Sequence, residues 1–117
     1  MQDQYQPSAI EAAVQEDAFA RIEAAGDPGP LAFVAGEGWH RGVIGIVASK
    51  LVDAYHRPAI VLSIDGETAH GSCRSIPTFD MLGALESCAE VMSKFGGHKQ
   101  AAGLTMESTR IRELRAR

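Results

Sequence analysis

The sequence has 117 residues, 45% hydrophobic and 22% charged, which is the size and composition of one globular domain and excludes a disordered chain. Its net charge of −4 argues against a protein that coats nucleic acid by bulk electrostatics. No apolar run approaches the ~20 residues needed to span a bilayer, so no membrane partner is expected. No secretory signal pattern opens the sequence, and Cys73 and Cys88 match no paired metal-ligand spacing. Two reduced thiols in a cytoplasmic protein are therefore expected. The charge is unevenly spread. Residues 1–38 hold one Arg against seven acids, while residues 39–117 hold ten Lys/Arg against eight acids, with all four histidines. A local anion site in the second part is compatible with that balance; a broad basic face is not.

Residues 1–7 are polar. Ser8-x-x-Glu11 reads as a capping box, and Ile10, Val14, Ala18 and Ile22 follow at spacing four, giving one apolar stripe on a helix to Ala25. Gly26 suits the position after its end, and Pro28 and Pro30 prevent continuation. Residues 1–30 are thus expected to be a connector helix and linker, with an acidic outer side. Residues 31–117 follow as a second unit, incomplete at its C-terminal end.

Residues 31–35 are a short buried strand by composition. The loop Gly36-Glu37-Gly38-Trp39-His40-Arg41-Gly42 leads into a helix over 43–55, with Ile44, Val47, Ala48, Leu51 and Val52 inward. Gly45 lowers that helix's intrinsic stability by ~1 kcal/mol relative to Ala, which suggests close packing against a neighbour. Arg57-Pro58 ends the helix, and residues 59–64 form a second strand. Strand, glycine-rich loop, helix and strand make a βαβ unit with parallel strands. Asp65-Gly66 is a hairpin signal. The next strand, 68–75, alternates Thr68, His70, Ser72 and Arg74 on one face with Ala69, Gly71, Cys73 and Ser75 on the other.

Pro77 breaks this strand, and Thr78 or Asp80 can cap a helix over 81–95 carrying Leu82, Leu85, Ala89 and Met92 at helical spacing. Gly96-Gly97 is expected to end it. Residues 101–106 read as a last strand and 109–117 as an incomplete basic helix. The expected fold is α/β, one domain with a mixed β-sheet flanked by helices.

Three glycine-containing polar segments could carry chemistry: Gly38-Trp39-His40-Arg41-Gly42, Gly71-Ser72-Cys73-Arg74-Ser75 and Gly96-Gly97-His98-Lys99. Arg74 offers a planar fork for phosphate or carboxylate, and Ser72 and Ser75 supply hydroxyls. Exposed amides at Gly96 and Gly97 beside His98 and Lys99 are a common way to hold an anion. The candidate phosphate-binding residues are therefore Ser72, Arg74, Ser75, Gly96, Gly97, His98, Lys99 and His40. Plainer readings stand beside them. Gly96 can simply cap a helix, Arg74 can be a salt-bridge partner, and His40 can sit near a helix start. Trp39 suits a core or hinge position, and His56 and His70 read as surface histidines. His40, His70, Cys73, Cys88 and His98 show no zinc-ligand spacing. A serine triad lacks its elbow motif, and no aspartate cluster could hold two divalent ions. No catalytic or metal-binding residue is expected.

The stretches Gly38-Trp39-His40-Arg41-Gly42-Val43-Ile44-Gly45-Ile46-Val47-Ala48-Ser49-Lys50-Leu51, Ser72-Cys73-Arg74-Ser75-Ile76, Phe79-Asp80 and Gly96-Gly97-His98-x-x-Ala101-Ala102-Gly103 resemble the DHHA1 domain of RecJ-type exonucleases. These are bacterial, single-stranded-DNA-specific enzymes of the DHH phosphoesterase superfamily. The resemblance covers roughly residues 31–107. It implies a two-lobed 5′→3′ exonuclease of DNA repair and recombination, in which a DHH lobe binds Mn²⁺ or Mg²⁺ and the DHHA1 lobe grips single-stranded DNA. A long helix joins such lobes, and residues 8–25 match its place. The DHH motif is absent from this sequence, so the resemblance implies an excised part, inactive alone and partnered in cis by the missing DHH domain. It implies that Ser72, Arg74 and Ser75 contact DNA phosphates, and that Gly96, Gly97 and His98 hold a phosphate or nucleotide. Cys73 stands where the family often has glycine or alanine. Two other functions stay open: a phosphodiesterase lobe for short oligonucleotides or cyclic dinucleotides, and a non-catalytic module presenting its acidic helix to a protein.

Overall fold

A computed structural model of the chain describes residues 7–25, 31–77, 79–97, 100–111 and 114. The apolar stripe of the first helix, α1 (Pro7–Ala25), does what its spacing predicts: Val14, Ala18 and Ile22 are buried. The Ser8 side chain of the expected capping box, and Gly26, Pro28 and Pro30, lie outside what is described. Strand β1 (Ala32–Glu37) leads through a loop into α2 (Ile44–Tyr55), then β2 (Ala59–Asp65), which pairs with β1 in parallel. Helix α2 stops at His56, whose left-handed backbone (φ 58°) lets its N–H reach the Val52 carbonyl.

The hairpin signal marks a true hairpin. Asp65 pairs with Thr68 across a two-residue turn in which Gly66 has φ 61°, and β3 (Thr68–Arg74) returns antiparallel. Beyond it come α3 (Met81–Glu86), β4 (Lys94–Gly97) and β5 (Ala101–Glu107). The five-stranded sheet is mixed, in the order β1-β2-β3-β5-β4.

Its two faces carry separate cores. On one side α1 and α2 bury Val14, Ile22, Val47 and Leu51 against Val34 and Val61. On the other, Met81, Leu85 and Val91 pack on Ile60, Leu62, Leu104 and Met106, joined by Leu114. Each such side chain withdrawn from water stabilises the fold by about 1.5–3 kcal/mol.

The expected helix over 81–95 is wrong in its second half. Asp80 caps it, accepting the Gly83 N–H at 3.0 Å; Thr78 lies outside the described residues. The helix ends at Glu86, where the Ser87 hydroxyl turns back to the Ala84 carbonyl and the Cys88 N–H reaches the Leu85 carbonyl. One 3₁₀ turn, Ala89–Val91, follows; it leaves Ala89 exposed while Cys88, Val91 and Met92 stay inside. Phe95, Gly96 and Gly97 therefore lie on an edge strand paired to Leu104, Gly103 and Ala102, and Gly96 is not a helix cap. Most of the expected basic helix over 109–117 lies outside the described residues.

Candidate nucleic-acid interface

The core beneath α1 and α2 includes no residue of β4 or β5. On that side of the sheet the pleat presents polar and small side chains instead, and strand register sorts them into rows. Arg74 stands opposite Ala101; Ser72 opposite Gly103, which is opposite Gly96; His70 opposite Thr105, which is opposite Lys94. Arg41, in the turn before α2, and Ile44, its first residue, wall one side. All of these residues except Arg74 and Ala101 line an open concavity of about 450 Å³, and no carboxylate is among its described lining residues.

The floor of this concavity is bare backbone. A Cβ added at Gly96 would meet nothing within 4 Å, and one at Gly103 only the Gly71 carbonyl oxygen at 3.6 Å. Gly97 differs: its φ of 141° and the Ala101 oxygen and Ala102 Cα, both 2.5 Å from any added Cβ, make glycine obligatory there.

The close packing expected at Gly45 is with Arg74. A Cβ on Gly45 would lie 2.8 Å from Arg74 Nη2 and 3.5 Å from Ser72 Oγ, so the missing side chain is the berth of the guanidinium. Arg74 Nη1 also donates to the Cys73 carbonyl at 2.9 Å. Among the described residues no carboxylate is within ion-pair distance of Arg74, which speaks against the salt-bridge reading. Gly45→Ala is expected to keep or raise the melting temperature, because helix propensity improves by up to ~1 kcal/mol and only the tip of a flexible side chain must move. It is expected to weaken anion binding on this face; unchanged binding would detach Arg74 from the site.

The other predicted residues divide. Ser75 does not line the concavity. Its hydroxyl donates to the Phe79 and Ile76 carbonyls at 2.9 and 3.3 Å, and its N–H to Gln100 at 2.9 Å, fixing the loop beside the site. His40 is exposed, and its Nδ1 accepts the Gly42 N–H at 2.8 Å; it shapes the turn that brings Arg41 to the rim. His98 and Lys99 lie outside the described residues. Arg41, Lys94 and Thr105 were not among the candidates, and His70 was read as a surface residue. Arg41 carried a signal as part of the Gly38-Trp39-His40-Arg41-Gly42 segment, and His70 through its alternation with Ser72 and Arg74.

Cys73 points to the opposite face and is buried in the second core, which pushes its thiol up to about 12 and keeps it protonated. It therefore leaves the concavity side of β3 unobstructed. Trp39 is buried too. Its indole N–H donates to Asp17 Oδ2 at 2.9 Å, its carbonyl accepts the Ser63 hydroxyl, and Arg21 lies 5.5 Å from the ring centroid. It locks α1 to the sheet and anchors the loop of Arg41.

A family description of the DHHA1 domain matches residues 28–117. The single-stranded-DNA-specific exonuclease RecJ of Bacillus subtilis (strain 168) is 45% identical over 104 residues, which is 87% of this chain and 13% of that protein. Crystal structures of RecJ from Thermus thermophilus in complex with Mg²⁺ and with Mn²⁺ superpose with TM-scores of 0.81 and 0.76, at 27% and 28% identity, over 93% and 92% of this chain and 17% and 16% of those chains. The C-Ala domain of Aquifex aeolicus alanyl-tRNA synthetase shares the fold alone, with TM-score 0.65 and 12% identity over 74% of this chain and 84% of that domain. The residues described here do not fit a divalent cation: among them no group of three or more His, Cys, Asp or Glu converges, and the concavity lacks carboxylates. The chain spans 13% of the Bacillus subtilis RecJ and 16–17% of the Thermus thermophilus RecJ chains. It belongs to the DHHA1 domain family, in the form that RecJ exonucleases carry.

Proposed function

We propose that this chain is the strand-gripping lobe of a RecJ-type 5′→3′ exonuclease of DNA repair and recombination, working in the cytoplasm, and that its open sheet face binds the phosphates of single-stranded DNA. One observation carries the reading: in a chain with 15 acidic and 11 basic residues, no carboxylate of the described residues lines this concavity, while Arg41, His70 and Lys94 do. Arg74 and Ser72 supply a charge-assisted fork and a hydroxyl, suited to a phosphate oxygen. The bare glycine floor lets a sugar-phosphate chain lie against the sheet. Such contacts hold a strand without reading its sequence.

The Mn²⁺ or Mg²⁺ that activates water belongs to the DHH lobe in cis, and the residues here hold and orient the strand. Fluorescence anisotropy with labelled oligo(dT) tests the binding. Affinity is expected to fall with salt by a log–log slope of about −0.7 per phosphate contact, and Arg74→Ala to remove about one contact from it. A variant indistinguishable from wild type would remove Arg74 from the interface. The chain alone is expected not to degrade single strands with Mn²⁺ present, and degradation would overturn its assignment as a binding lobe. Tighter binding of a cyclic dinucleotide than of oligo(dT) would favour the phosphodiesterase reading instead.

A further inference from the structure

We infer that His70, Thr105 and Lys94 form a second phosphate subsite on this face, separate from Ser72 and Arg74, so that a bound strand runs along β3 and engages both. The inference rests on the strand-binding reading above and specifies how that site is laid out. The three side chains come from three adjacent strands and are brought into one row by register alone, His70 opposite Thr105 and Thr105 opposite Lys94. Thr105 Oγ1 lies 3.5 Å from His70 Nδ1, and all three residues line the same concavity. An imidazole, a hydroxyl and an ammonium on one row offer an oxyanion several donors and no competing acceptor charge. Among the described residues no carboxylate is within ion-pair distance of Lys94 or His70.

The spacing sets the direction of the strand. His70 and Arg74 stand four residues apart on one face of β3, about 13 Å along the strand, which is more than one phosphate can bridge. Between them lie Ser72 and the bare backbone of Gly103 and Gly96. A strand laid along β3 places one phosphate on Arg74 and a later one on the His70 row, with its sugars over the glycines. A strand crossing β3 at right angles would meet only one of the two rows.

The test uses the 117-residue chain and fluorescein-labelled (dT)₁₂ in a salt series, comparing Lys94→Gln, His70→Gln and Arg74→Ala, with melting curves as a fold control. Both Lys94→Gln and His70→Gln are expected to weaken binding about threefold, Lys94→Gln also flattening the salt slope by about 0.7, with melting temperatures unchanged. If Arg74→Ala weakens binding while Lys94→Gln and His70→Gln do not, the second subsite is overturned and the strand-binding reading stands. If wild type does not bind (dT)₁₂, both fall.

Discussion

Gly96→Val is expected to keep the fold and lose DNA binding, whereas Gly97→Val is expected to lose the fold. The two glycines are neighbours on β4 and respond to opposite constraints. At Gly96 an added side chain enters open space on the concavity side of an edge strand. Valine is favoured in such pleated positions, so the melting temperature should hold or rise. Its isopropyl group, however, stands where a sugar-phosphate backbone would lie, and oligo(dT) affinity should drop about tenfold or more, a cost of the order of 1.4 kcal/mol. At Gly97 the backbone has φ 141° and an added Cβ would come within 2.5 Å of backbone atoms of Ala101 and Ala102, which cannot yield locally. Strain of about 3 kcal/mol or more is a large part of the ~5–15 kcal/mol that holds a domain together. Circular dichroism melting and anisotropy separate the two outcomes. A Gly97→Val protein that melts like wild type, or a Gly96→Val protein that binds like it, would contradict the geometry.

The second large effect is at Trp39. Trp39→Ala is expected to destabilise the chain by about 3–5 kcal/mol. The ring lies so close on β1 that a Cβ at Gly36 would be 2.1 Å from its Cε2, so truncation empties a tightly filled space. Around the ring, Arg21 donates to Asp17 at 3.1 Å and to the Ala35 carbonyl at 3.2 Å, closing a latch between α1 and the sheet. The Trp39 indole and then the Arg21 guanidinium hold the Asp17 carboxyl below the usual carboxylate range. Its folded value lies below its unfolded value of about 3.9, so its contribution is intact above about pH 4 and is lost as pH falls through the folded value. Asp17→Asn should therefore melt below wild type at pH 7, and the gap should close in acid. A gap independent of pH would remove the charge on Asp17 from the latch.

Much of this architecture could be read from local pattern. The spacing of Ile10, Val14, Ala18 and Ile22, the turn at Asp65-Gly66 and the alternation around Ser72 and Arg74 each reflect a single element meeting a core or solvent. Gly45 announced a close neighbour without naming Arg74. What stayed hidden depends on contacts distant in sequence. Leu82, Leu85, Ala89 and Met92 keep a helical period, yet the chain leaves the helix at Ser87 because residues 94–97 find partners on β5. Reading that stretch as helix concealed Lys94, since a helix would have pointed it elsewhere. Thr105 joins His70 only through the register of β3 with β5, which alternation within one strand cannot supply.

The most direct test of the central claim is an amide chemical-shift titration of the ¹⁵N-labelled chain with (dT)₆. Binding on the open face predicts shifts concentrated at Ser72, Gly96, Gly103 and Thr105 that fade as salt is raised. Shifts confined to α1, or none at low salt, would contradict it.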